Sequence, residues 1–260
     1  MLKRLSAFLF DFIMRMVCIA GFAVLFSAIL GYDAKADRYQ EVSDKYEELR
    51  ETYFEKYDIA YTHEEQEKMS PEEKAAFDER YNSALSEFQN DSEVLNTYAE
   101  KTWLEKMTQN LVLLMITLSV LMGYLILEFA VPLFLKNGQS LGKKMFGIGV
   151  MRDDGVKITP TMLFVRSILG KCTIEALVPI AIIALVLLGN AGMLGLVALL
   201  LLAAFEMFLM VRTDTNSTIH DVLSYSVAVD LASQMIFDTE EDLIAYKNRI
   251  HAEAVENAKY

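Results

Sequence analysis

Residues that usually carry chemistry are scarce in this chain of 260: two cysteines, three histidines, one tryptophan and four prolines. Cys18 and Cys172 both fall in apolar runs, where they read as small buried residues in helix contacts rather than a disulfide or metal site. His63, His220 and His251 lie in three separate regions, which excludes a local histidine metal motif. The sequence holds no Walker loop, no His-Glu-x-x-His and no Gly-x-Ser-x-Gly. The adjacent His220 and Asp221 would point about 100° apart on a helix, which argues against a catalytic dyad. The chain therefore reads as a non-enzyme, with no catalytic residue, metal or cofactor expected. Positive charge is also in deficit, with 24 Lys plus Arg against 36 Asp plus Glu and a net charge of -12. Of that excess, -11 belongs to residues 31–108, with 21 acidic against 10 basic side chains. Nucleic acid is not an expected partner for such a segment.

What is abundant is apolar sequence, at 53% of residues, gathered into long blocks. About twenty mainly apolar residues span a hydrocarbon core. Four blocks qualify: Leu5–Leu30, Leu111–Leu135, Met162–Leu188 and Ala191–Val211. The expected fold is all-α, a polytopic helix bundle of four spans in the lipid bilayer, with a helical acidic extracytoplasmic insertion and a small cytoplasmic hairpin. The corresponding segments are 1–30 (first span), 31–108 (acidic segment), 109–135 (second span), 136–160 (basic loop), 161–211 (third and fourth spans) and 212–260 (C-terminal helices). Residues 1–36 also resemble a signal peptide ending at Ala34-Lys35-Ala36. Asp11, Arg15 and the length of the apolar run favour an anchor instead.

Orientation follows from the basic residues. Lys136, Lys143, Lys144, Arg152 and Lys157 outweigh Asp153 and Asp154 in the 136–160 loop. With Lys3 and Arg4 they place that loop and both termini on the cytoplasmic side of the cell membrane, and the acidic segment outside. In the acidic segment Tyr39, Tyr46 and Tyr53 recur every seven residues, a narrow seam for two or three packed helices. Ser70-Pro71-Glu72-Glu73 is a strong helix start, and Thr62 with Glu65 a weaker one. The last of these helices is expected to run from about Ser92 into the second span, leaving Trp103 near the interface. Period-two alternation about Asp153-Asp154-Gly155 suggests a hairpin of 146–151 with 156–158. Ser217 or Thr218 caps a helix near Ile219, and a polar tail helix covers Thr239–Asn257.

The spans are not clean. Arg4, Asp11, Arg15 and Cys18 are spaced by seven, four and three residues and so form one polar stripe on the first helix. Charge at membrane depth costs several kcal/mol, about 3 on insertion scales, unless paired or wetted. Asp11, Glu128 and Glu206 lie six to eight residues inside the basic boundary, at a common depth of roughly 9–12 Å. Arg166, Lys171 and Glu175 join the layer from the third block. Two readings stay open for it: an ion-pair network fixing helix packing, or a wet cavity for an ion, proton or anionic headgroup. Under the second, Asp11, Glu128 and Glu206 bind the cation or proton while Arg15 and Arg166 tune them. A further alternative lays Thr161–Cys172 flat on the surface, with Arg166 and Lys171 facing headgroups.

These residues resemble the RDD family of membrane proteins, named for one arginine and two aspartates. The likeness rests on Arg4 and Asp11, Gly138-Gln139-Ser140-Leu141-Gly142-Lys143-Lys144, Asp154-Gly155, Arg166 and Thr218-Ile219-His220-Asp221. It covers residues 1–30 and 110–230. The long acidic segment and the tail lie outside it. The resemblance implies a multi-span bundle and transport of a ligand, with Arg4, Asp11 and Asp221 as the motif. It suggests an Arg4–Asp221 pair and an Asp11–Arg166 pair, and leaves Asp11 or Glu128 as partner for Arg15. Transport of an ion or small solute is the leading function. The alternative is a scaffold or sensor whose acidic segment binds an extracytoplasmic protein partner. Four spans enclose little room, so a transporter is expected to be a homo-oligomer.

Overall fold

A computed structural model describes residues 2–59, 69–213, 215 and 217–258, without the side chain of Lys136. The Thr62–Glu65 cap and His63 lie outside these residues. Among the described residues, four helices are long and apolar enough to cross a membrane. They are α1 (Leu2–Leu30), α4 (Ser92–Phe134), α6 (Pro160–Leu187) and α7 (Gly192–Arg212). The all-α bundle of four spans is thus the observed architecture. By length α4 runs about 65 Å, twice a hydrocarbon core, because the acidic helix at Ser92 continues unbroken into the apolar one.

The chain forms two compact units. The smaller comprises Leu25–Met115 and holds α2 (Tyr32–Lys56), α3 (Pro71–Asn90) and the first part of α4. Its core is the aromatic seam: Phe88 is buried and packs edge-on against Tyr46 and Tyr53, both at 5.6 Å between ring centres. Ser70 caps α3 as a reciprocal box with Glu73, and Pro71 follows at the first turn. Asp91 caps the next helix through the N–H groups of Glu93 and Val94 and accepts a hydrogen bond from the Tyr53 hydroxyl at 2.7 Å. These bonds hold the Asp91 carboxyl below its ordinary value.

The larger unit comprises residues up to Val24 and from Ile116 onward. Here α5 (Leu141–Met145) leads into β1 (Ile148–Arg152), and α8 (Ile219–Leu223) into β2 (Ser226–Asp230). The two strands pair antiparallel, from Ile148 opposite Asp230 to Arg152 opposite Ser226. The hairpin expectation is corrected in this respect. The Asp153–Gly155 turn does form, through Arg152 N–H to Val156 O and Gly155 N–H to Arg152 O, but only Met151 bridges to Lys157. The 156–158 limb is too short to satisfy β1, so the strand takes its backbone partners from 226–230. The tail helix α9 spans Glu240–Asn257 with Thr239 as its cap.

Two spans widen locally to π geometry, at Leu125–Ala130 in α4 and Val165–Leu177 in α6. Such turns recur at functional sites because they shift side chains out of the regular helical register. Glu128 lies in the first, and Arg166, Lys171 and Glu175 in the second. Arg166 and Cys172 are both buried within the protein, so the Arg166 side chain does not face outward.

Candidate charged cavity

The charged residues of α1 are met by three other parts of the fold: β2, the start of α5, and α4. Arg4 donates to the backbone carbonyl of Ala228 in β2 at 2.8 Å, and Lys3 pairs with Asp230 at 2.9 Å. Asp11 accepts from the Ser140 hydroxyl and from the Gly142 N–H at 2.7 Å, while Ser140 in turn caps α5 by accepting from Lys143 N–H. Gly142 permits that approach: a Cβ there would meet the Ala7 carbonyl oxygen at 2.4 Å and Asp11 Oδ1 at 2.9 Å. Arg15 bonds Glu128 at 2.7 Å and lies over the Tyr124 ring at 4.7 Å. Both of the pairings suggested by the resemblance are therefore corrected. Asp221 faces Arg166 rather than Arg4, and Asp11 is held by Ser140 and Gly142 rather than by Arg166. Of the two partners open for Arg15, the structure selects Glu128.

The third span supplies the remaining contacts. Glu128, 4% exposed, takes Arg15 on one oxygen and Lys171 on the other at 2.6 Å, and its own carbonyl accepts from Ser167. Arg166, 3% exposed, bonds both Asp221 and Ser226. The other Asp221 oxygen accepts from the backbone N–H and hydroxyl of Thr218, closing the α8 cap. Glu175 accepts the His220 backbone N–H at 3.0 Å and faces Nδ1 of the ring at 2.8 Å. His220 is 3.6 Å from Asp221 through Nε2, beyond hydrogen-bond range. Burial pushes His220 well below its ordinary 6.5, reinforced by the surrounding cations Arg166, Lys171, Lys143 and Arg15.

These groups enclose a cavity of about 440 Å³. Arg4, Asp11, Arg15, Glu128, Arg166, Lys171, Glu175, Glu206 and Asp221 all border it. Every charge singled out from the sequence is thereby brought to one space. Among the described residues Glu206 makes no hydrogen bond or ion pair. Lys143 and His220 line the cavity as well and were missed. In the sequence Lys143 reads as a loop charge that sets orientation, although it stands inside the specific Gly-Gln-Ser-Leu-Gly-Lys-Lys run. His220 invites comparison with Asp221, its neighbour in sequence, whereas its partner is Glu175, 45 residues away. Among the described residues, no group of histidine, cysteine and acidic side chains is arranged to hold a metal ion.

The sequence profile of the RDD family matches residues 1–225. The chain belongs to the RDD family. The match runs through the acidic segment and ends just before β2, so it spans most of what forms the cavity. No curated protein and no solved structure matches the chain. As a family member with four helices fit to span a bilayer, it is an integral, multi-pass membrane protein.

Proposed function

We propose that this RDD-family protein moves an ion or small solute through the charged cavity, with Glu206, Glu175 and His220 exchanging a proton. The observation that carries this reading is that the charge layer borders a space of about 440 Å³ instead of packing solid. A purely structural ion-pair network has no need of such a space, whereas a polar opening lined by charges at membrane depth suits a pathway for a charged species. Asp11 and Glu128 are already committed to protein donors, so they hold α1, α4 and α6 in place. Glu206 has no such commitment. In this reading the chain lies in the cell membrane with both termini cytoplasmic, catalyses no reaction, and assembles as a homo-oligomer.

The test is ion and solute flux in vesicles reconstituted with the full chain. Glu206→Gln should reduce flux at least tenfold while leaving the protein inserted and monodisperse. Unchanged flux in both Glu206→Gln and Glu175→Gln would sink the proposal.

A second reading, a sensor that binds a protein through its acidic segment, draws on one feature. The smaller unit carries an open groove of about 840 Å³ lined by Tyr53, Tyr57, Asn82, Glu87 and Asp91, among others. Replacing 31–108 with a short linker separates the two. A transporter core keeps its flux, and a sensor loses its response.

A further inference from the structure

Among the cavity's charges, one cation stands uncommitted. Lys143 is half-buried in the cavity wall, and among the described residues its ammonium donates no hydrogen bond and makes no ion pair. The carboxylates that act on it through space, Asp11 and Glu128, have both oxygens occupied by other donors. Its cationic neighbours Lys171 and Arg166 add to the positive potential around it. A half-buried ammonium flanked by two further cations, with three N–H groups not spent on protein acceptors, presents donors to an arriving anion. We propose that the cavity holds one phosphate-type oxyanion against Lys143, in the field of Lys171 and Arg166. The volume suits a small-molecule group, and Phe8, Phe12 and Ile148 offer apolar wall for the body that carries it.

Charge supports the same choice. Burial, with Lys171 and Arg166 alongside, pushes the Lys143 ammonium down to about 7. An arriving anion reverses that shift and restores the charge, so binding and protonation reinforce each other. The groups facing Lys143 are Asp11 from α1, Glu128 from α4, and Arg166 and Lys171 from α6, with His220 of α8 responding to it. Asp11 and Glu128 oppose the shift without cancelling it.

The anion has two sources, a phospholipid headgroup or a free solute, and the experiment separates them. The full chain in phosphatidylcholine nanodiscs is titrated calorimetrically with dimethyl phosphate, which stays a monoanion throughout, at about pH 6, below the shifted lysine value. In parallel, native mass spectrometry counts phosphatidylglycerol retained after exposure to phosphatidylglycerol or phosphatidylcholine vesicles. Lys143→Met should weaken dimethyl phosphate binding at least tenfold if the source is soluble, or abolish phosphatidylglycerol retention if it is lipid. Lys144→Met, on the exposed neighbour, should change neither. Equal binding and equal retention in wild type and Lys143→Met overturn the inference. Should Lys143→Met fail to purify as a single species, Lys143→Arg replaces it. Wild-type binding should then fall as pH rises through about 7 while the arginine variant holds its affinity. Identical pH profiles overturn the inference. It rests on the cavity being accessible, as the transport proposal holds, but binding is read without flux. Flux without oxyanion binding refutes this inference alone, and binding without flux refutes only transport.

Discussion

Arg166 is the residue on which most of the buried polar structure converges. Its guanidinium joins α6 to α8 through Asp221 and to β2 through Ser226, with almost no exposure. Removing one partner of a buried pair leaves the other charge without compensation, at a typical cost of about 3–5 kcal/mol. Arg166→Met should therefore lower the thermal stability of the purified protein by about that amount. Arg166→Met with Asp221→Asn should recover part of it, because the orphaned charge is gone. If the single variant were as stable as wild type by thermal unfolding in detergent, the pair would be electrostatically idle. This pairing was only half legible in the sequence. Depth identifies Arg166 as a member of a charge layer and the family resemblance brings in Asp221, but a cavity bordered by five cations and five carboxylates admits many pairings. The choice among them depends on π turns and on a strand that neither spacing nor composition announces.

Two close approaches fix the helices at the element scale, and both use glycine. Besides Gly142 against α1, Gly170 of α6 lies under α8, where a Cβ would meet the His220 Cα at 2.7 Å. The nearest atom is backbone at Gly142 and a Cβ fixed by the backbone at Gly170, so neither site can yield by rotating a side chain. Gly142→Ala should push α5 off α1, lengthen the Asp11 bonds and cost about 1–3 kcal/mol, the usual range for overpacking. Hydrogen exchange localises the effect: the amides of Gly142 and Lys143 should lose protection while those of α3 keep theirs. Uniform protection in the variant would refute the account. Elements of high local consistency were the readable ones. The four spans, the Ser70 box and the Thr239 cap depend on residues within a few positions of each other. Strand β2 was not, because its five residues border no turn signal and gain their identity from β1, where Ile148 pairs with Asp230, 82 positions on.

For the whole molecule, α1 matters through the order in which the chain is made. It precedes the other three spans in sequence, yet its polar stripe is answered only by residues much later: Glu128 at a separation of 113, Gly142 at 131, Ala228 at 224 and Asp230 at 227. At synthesis rates of about 5–20 residues per second, Arg15 waits on the order of ten seconds for Glu128, and Arg4 roughly twice as long for β2. Throughout that interval the helix is a poor solution for lipid alone, so its final seating follows insertion and cannot precede it. Chains halted before residue 128 should present α1 with no intramolecular counter-charge and be cleared faster than chains halted after β2, as a pulse-chase of graded truncations would read. Equal lifetimes across the series would mean that the stripe finds another host in the interim. The span that leads the other three is thus the one completed last, and nascent-chain quality control can act throughout that interval.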